Sequence, residues 1–76
     1  MRRATKEDYP PPVGAKLWTR WPEPNINNAA YHVRAHVDGM VVLRTWWRRR
    51  RRWHYVVEDR SWWDIVFMGS NGEIER

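Results

Sequence analysis

The residues best suited to bind a partner are concentrated in one short basic and aromatic segment. Five consecutive arginines follow two tryptophans and precede a third, in the order Trp46, Trp47, Arg48, Arg49, Arg50, Arg51, Arg52, Trp53. Guanidinium groups fit phosphate oxygens in bidentate pairs, and clustered cations gain affinity for a polyanion through counterion release. Exposed indole rings add stacking surfaces for unpaired bases. The segment therefore predicts contact with an anionic partner, of which nucleic acid is the first candidate.

An acidic protein surface or a solvated turn would also account for this segment. An acidic groove on a protein would be complementary to the same side chains. A tight turn also needs solvated residues, and arginines at a strand end prevent edge-to-edge pairing or cover tryptophan faces by cation–π contact. Because five arginines between tryptophans exceed what solubility requires, we favour contact with an anionic surface.

Composition excludes several classes of function. The formal net charge is +5, and the arginine run alone accounts for it. The chain contains no cysteine, which excludes disulfides, a thiolate nucleophile and a cysteine zinc site. No apolar run is longer than that of residues 65–68, which is too short to cross a bilayer, and no apolar region follows the N-terminal charges as in a secretory signal. We therefore expect a cytoplasmic protein with no membrane contact.

The remaining polar residues do not form a reactive site. In a strand, His32 and His36 share a face but lie about 13 Å apart, too far to bind one metal ion. Glu58 and Asp59 are neighbours, so they point to opposite faces and do not form a catalytic pair. No serine lies in the strand–turn–helix setting of a nucleophile. The sequence predicts neither a metal, nor a cofactor, nor an enzyme.

The clearest structural element is a hairpin. Residues 30–37 alternate between apolar and polar, which predicts a half-buried strand. Asp38 and Gly39 form a strong turn signal, and residues 40–47 are the returning strand.

The register of this hairpin follows from burial. A two-residue loop opposes Val33 with Arg44, which places a charge among core residues. A three-residue loop, with glycine in the left-handed conformation, opposes Val33 with Leu43 and Ala35 with Val41. Because a one-residue slip moves every side chain to the other face, we predict the three-residue loop.

A second turn, centred near Arg50, is predicted to bring back a third strand, residues 53–58. In that register Tyr55 and Val57 join the core face, and Glu58 lies diagonal to Arg44 on the outer face. The arginine run then forms the tip of the second hairpin. Four further side chains extend the basic surface over the outer face: Arg34, Arg44, Trp46 and His54.

The rest of the chain completes a single small domain. Residues 1–12 are predicted to be a flexible, charged and proline-rich arm, and residues 13–76 to form the domain. We expect a mostly β fold of four or five short strands, in which residues 62–68 begin with a single turn of tight helix and lead into a last strand near residues 65–68. Trp46 and Trp62 are the tryptophans expected to be exposed. The sheet is either a small, closed or nearly closed barrel, or an open, strongly curled antiparallel sheet with the arm packed across its concave side.

The order of these elements resembles the small SH3-like or Tudor-like barrels, a shape found in short proteins of unknown function from phages and prophages. The resemblance covers about residues 13–68. It rests on Val13-Gly14, Trp18-Thr19-Arg20, Tyr31-His32-Val33, Val37-Asp38-Gly39 and Trp53. It implies a non-enzymatic binding module and assigns no partner, and the arginines stand where such barrels usually have a short polar hairpin.

These observations lead to two hypotheses about function. The first is a nucleic-acid-binding module that recognises shape and charge through its arginine tip. The second is a small phage-type inhibitor or adaptor, for example an anti-defence protein, that binds the acidic or nucleic-acid-binding site of a host protein. An unpaired edge at residues 16–21 or 65–68 would allow a strand-exchanged homodimer instead of a monomer.

Overall fold

Strands dominate the fold, as the alternating sequence predicts. The computed structural model describes residues 1–19 and 30–75. Its six strands form one antiparallel sheet in the order β1-β6-β2-β3-β4-β5. They are β1 (Arg2–Arg3), β2 (Lys16–Trp18), β3 (Ala30–Val37), β4 (Met40–Trp47), β5 (Arg52–Glu58) and β6 (Glu73–Glu75). The mostly β prediction is confirmed.

The sheet is open. In the described part of the chain, β1 and β5 each have one neighbouring strand, so neither edge meets the other. The strand β2 pairs with β3 on one side and with β6 on the other, so the predicted free edge is wrong for residues 16–18. Residues 20 and 21 of that predicted edge lie outside the described residues.

One face of the sheet is covered by a helical segment that follows β5. A π-helical stretch, Trp62–Phe67, continues into a 3₁₀ turn, Met68–Ser70. Trp63 and Phe67 lie four residues apart on one side of this segment, and both are completely buried against the sheet. The predicted last strand at residues 65–68 is therefore wrong, because burial follows the helical spacing. Trp62, predicted to be exposed, is half-buried beside Phe67.

Local hydrogen bonds begin the helical segment. The Asp59 carboxylate accepts a hydrogen bond from the Trp62 backbone N–H at 3.1 Å and another from the Ser61 hydroxyl at 2.6 Å. A carboxylate in this position satisfies a donor that the first helical turn leaves without a partner. These bonds also lower the pKa of Asp59. The Asp59 side chain thus stabilises the start of the helical segment.

The N-terminal residues complete the covered face. The strand β1 pairs with β6, Ala4 and Pro11 are buried, and the Thr5 carbonyl accepts a hydrogen bond from the Trp63 indole at 3.1 Å. Arg2 donates two hydrogen bonds to the Asp8 carboxylate, at 2.6 and 2.9 Å, and this pairing holds the pKa of Asp8 well below its usual range. These contacts pack residues of the predicted arm against the domain, as in the open-sheet alternative. The flexible arm was predicted from the charge of these residues, which gives no sign of the small apolar contacts that hold them against the domain.

The first hairpin has a shorter loop than predicted. It keeps the predicted pairing of Val33 with Leu43, whereas Ala35 opposes Val42 instead of Val41. Asp38 and Gly39 both have positive φ angles, 51° and 78°, and β3 and β4 pair again directly beside them. This two-residue loop corrects the three-residue prediction. A bulge between Val33 and Ala35 absorbs the extra residue, so Val33 still opposes Leu43. The bulge reconciles the favoured Asp-Gly turn with a buried valine.

The second hairpin is shifted by one residue from the predicted register. Its turn contains four residues, 48–51, with Arg51 at a φ of 52°, and Trp47 opposes Arg52. Val56 and Glu58 therefore face the covered side, and Tyr55 and Val57 lie on the outer face with 54% of each exposed. The predicted core positions of Tyr55 and Val57 are wrong, because a slip of one residue inverts every side chain.

Packing at Gly72 gives a direct test of the covered face. A Cβ atom at this position would lie 2.5 Å from the Phe67 ring, whereas one at exposed Gly69 would meet no atom within 4 Å. We expect Gly72→Ala to lower the free energy of unfolding by about 1–3 kcal/mol, because the buried ring has to move. Gly69→Ala is the matched control and should raise it by about 0.4–1 kcal/mol. Urea unfolding of both variants would measure the difference, and equal stabilities would contradict this packing.

Candidate nucleic-acid interface

The arginine tip projects into solvent. All five arginines, residues 48–52, are exposed, and none of their side chains forms an ion pair or hydrogen bond with a described residue. Arg50 and Arg52 lie over the Trp47 ring, with guanidinium-to-centroid distances of 5.5 and 5.9 Å. Such cation–π contacts leave the charge in place. The tip therefore keeps its positive charge available to a partner.

An aromatic pair lies next to the tip on the outer face. The four-residue turn places Trp46 directly opposite Trp53, and their rings meet edge to face at 5.2 Å. Trp46 is 47% exposed and Trp53 is 38% exposed. The Arg44 guanidinium lies 3.9 Å above the Trp53 ring, and the His32 ring meets its edge at 5.8 Å. This arrangement offers indole surface within a basic environment.

Further polar groups form a row across the outer face. Lys16 opposes His32, His32 opposes Arg44, and Arg44 opposes Tyr55, so the row crosses four adjacent strands. Arg44 donates a long hydrogen bond of 3.5 Å to the Tyr55 hydroxyl. Its Nε is buried beside the indole and has no hydrogen-bond acceptor in the described part of the chain. The row continues the positive charge of the tip over the sheet.

A groove of about 810 Å³ opens where β3 begins, beside the tip. Its described lining combines three arginines of the tip with three tryptophans and His32. These residues are Arg48, Arg49, Arg50, Trp46, Trp47, Trp53 and His32. A cavity of this size holds a ligand of several hundred Å³, such as a nucleotide unit. The groove joins the charged and the aromatic parts of the surface.

Two of the predicted site residues lie away from this surface. His54 is on the covered side of the sheet, opposite Thr45, and its ring stacks on Trp47 at 3.9 Å. Its predicted place on the outer face is therefore wrong, as is that of Glu58. Arg34 is exposed at the β3 bulge, two residues beyond His32 and farther from the tip. The structure brings together Arg44, Trp46 and the tip.

Sequence reasoning missed two contributors to the outer face, Lys16 and Trp53. The predicted register already set His32 opposite Arg44 on this face, as observed, but His32 was not counted among the site residues. Lys16 depends on the pairing of β2 with β3, and a four-residue turn would have shown Trp46 opposite Trp53. The sequence feature that bears on this register is the length of the arginine run. Its five residues accommodate either a four-residue or a five-residue turn.

Residues 1–19 and 30–75 contain neither a metal-binding cluster nor a membrane-spanning helix. No three or more His, Cys, Asp or Glu side chains in these ranges are grouped so that they could hold a metal ion. No helix in the same ranges has the length and apolar character needed to cross a membrane.

The titration of His32 reports the charge of the outer face. Burial lowers the pKa of His32, and the neighbouring charges of Lys16, Arg44 and Arg34 lower it further, below the ordinary value of about 6.5. We expect Lys16→Met to raise this pKa, because one cation opposing the imidazolium is removed. NMR titration would measure it, with Lys6→Met as the control that removes a distant charge. A His32 pKa that is equal in the wild type and in Lys16→Met would contradict this electrostatic picture.

Comparison of the chain with protein-family models, with curated proteins and with solved structures gave no match. The resemblance to small SH3-like barrels therefore stays an expectation from sequence. The geometry of the tip, the tryptophan pair and the groove is the basis on which a function can be proposed.

Proposed function

We propose that the protein is a non-enzymatic module that binds single-stranded nucleic acid. The observation that carries this proposal is the adjacency of five exposed arginines, residues 48–52, to the exposed pair of Trp46 and Trp53. Arginines neutralise phosphates and indoles stack on bases, and a single strand offers both groups at once. A binding role also agrees with what the resemblance to small SH3-like and Tudor-like barrels implies.

The aromatic pair favours a single strand over a duplex. Bases within a duplex are already stacked on one another, so a duplex would engage the arginines and leave Trp46 and Trp53 unused. A flexible single strand can turn a base toward the indoles while its phosphates contact the tip. The groove provides the space, because its walls contain both kinds of side chain.

The path of the strand follows the positive charge. Beyond Arg48, Arg49 and Arg50 at the groove, the row on the outer face adds the cations Arg44 on β4 and Lys16 on β2. A backbone running from the tip across the sheet would meet them in this order. None of these contacts involves a base edge, so we expect little sequence preference.

The first test is the salt dependence of binding to a single-stranded oligonucleotide. Neutralising five phosphates of a single strand gives a slope of about −3.5 when the logarithm of the association constant is plotted against the logarithm of the salt concentration. Changing Arg48, Arg49 and Arg50 to serine should lower the magnitude of this slope by about 2. Fluorescence anisotropy over a salt series would measure both slopes.

The matched control removes the same charge elsewhere. A variant with Arg3, Lys6 and Arg60 changed to serine has the same net charge as the tip variant and should keep nearly the wild-type slope. Equal binding by the two variants would refute the tip as the contact surface. A tight complex with an acidic protein, retained at moderate salt while oligonucleotide binding is weak, would instead support an inhibitor.

The second test isolates stacking. We expect Trp46→Ala to weaken single-strand binding by about 1–3 kcal/mol and to leave duplex binding almost unchanged. Ile65→Ala, which removes an exposed apolar side chain on the helical segment that covers the other face, should change neither affinity. Anisotropy with matched single-stranded and duplex oligonucleotides would give the ratio of the affinities for the two forms in each variant. An equal loss for both forms would show that the tryptophan does not stack on bases.

A further inference from the structure

Among the described residues, the strand β5 is an unprotected edge of the sheet. It contains seven residues and pairs with β4 along its whole length, from Val41–Glu58 to Trp47–Arg52, with no bulge. The sequence between Arg52 and Glu58 contains no Lys, Arg, Asp or Glu and no proline. Edge strands are usually protected by charge, proline, bulges or shortness. None of these features protects the middle of β5.

The opposite edge of the sheet shows that protection clearly. The strand β1 contains only two residues, Arg2 and Arg3, and both are charged and exposed. Such a short, charged edge offers almost no template for a further strand. The contrast indicates that β5 is the edge available for pairing.

The outer side chains of β5 are apolar and exposed. Trp53, Tyr55 and Val57 alternate along the outer face, with 38%, 54% and 54% of each exposed. Cross-strand pairs of aromatic and β-branched side chains stabilise a sheet. A strand placed beside β5 would therefore gain side-chain contacts as well as backbone hydrogen bonds.

We propose that β5 pairs antiparallel with β5 of a second copy of the chain, with the two-fold axis at Tyr55. In this register Arg52 of each copy opposes Glu58 of the other, and Trp53 opposes Val57. Tyr55 opposes Tyr55. The strand is complementary to itself in charge at its ends and in apolar character between them. A second copy is thus the partner that its side chains fit.

Alternative registers of the same pair fit less well. Moving the axis to Val56 would bring Glu58 opposite His54 and leave Arg52 with no opposing residue, because the strand of the second copy ends at Glu58. Moving it to His54 would oppose Arg52 with Val56 and leave its charge without a partner. A shift by one residue would join the outer face of one sheet to the covered face of the other, since the side-chain period of a strand is two.

The dimer would carry two arginine tips. Because the strands run antiparallel, each tip lies at the Glu58 end of the other β5, so the tips stand at opposite ends of one joined outer face. The proposal does not depend on nucleic-acid binding. Pairing is measured on the protein alone, so its failure is distinguishable from failure of the proposed function.

Cysteine crosslinking tests the register. The chain contains no cysteine, so a single introduced thiol reacts only with its counterpart. Opposed residues in antiparallel strands have Cα atoms about 4.5–5.5 Å apart, within the range of a disulfide. We expect Tyr55→Cys to oxidise to a covalent dimer at least tenfold faster than Val57→Cys, which lies opposite Trp53. Equal rates for the two variants would overturn the axis at Tyr55.

Charge reversal tests the pairing without a crosslink. Sedimentation should show the wild-type mass rising from 9.4 kDa toward twice that value with concentration. Arg52→Glu and Glu58→Arg should each weaken dimerisation about tenfold, because both symmetric pairs become repulsive, and the double variant should restore it. Arg50→Glu and Glu7→Arg are controls with the same charge changes outside the strand. A wild-type protein that remains monomeric, or a double variant without recovery, would overturn the proposal.

Discussion

The length of the arginine turn determines the surface of this protein. Four residues, with Arg51 in the left-handed conformation, connect β4 to β5 and set Trp46 opposite Trp53. One residue more would move every side chain of β5 to the other face. Tyr55 and Val57 would then be covered, and the indole pair beside the tip would not form. The same five arginines therefore supply the charge and, through the geometry of their turn, the aromatic surface next to it.

One face of the sheet forms the hydrophobic core, and the other face is exposed to solvent. The helical segment and the N-terminal residues cover one face, where Trp63 and Phe67 form the centre of the core and the Thr5 carbonyl accepts the indole hydrogen bond. This arrangement satisfies the polar atom of the largest buried side chain. The outer face is then free to carry half-exposed tryptophans. A chain of 76 residues can leave this much indole exposed because another tryptophan and a phenylalanine are completely buried on the other side.

Sequence alone predicted the mostly β class, the meander, the tip and the exposure of Trp46, since alternation and the Asp-Gly turn are local signals. It missed features that depend on long-range packing. The bulge beside Arg34 exists because Val33 must remain buried while the two-residue turn is kept. The helical segment at Trp63 continues to Ser70, where a strand was expected, because tertiary contacts override the local propensity of its β-branched and aromatic residues. The N-terminal residues pack through the pairing of β1 with β6 and through the Thr5–Trp63 hydrogen bond, contacts distant in sequence that no local pattern reveals.

Trp53 would take part both in the proposed binding of nucleic acid and in the proposed pairing of two β5 strands. Its ring contacts Trp46 in the proposed stacking surface, and the same residue would oppose Val57 of a second copy along β5. Because linkage between two binding equilibria is reciprocal, any factor by which pairing changes the affinity for a strand is also the factor by which the strand changes pairing. Two tips at opposite ends of a joined face would also hold two segments of one long strand, and the second contact would form at a high effective concentration. For a module of 9.4 kDa, with few contacts per copy, such avidity is a direct route to tight binding.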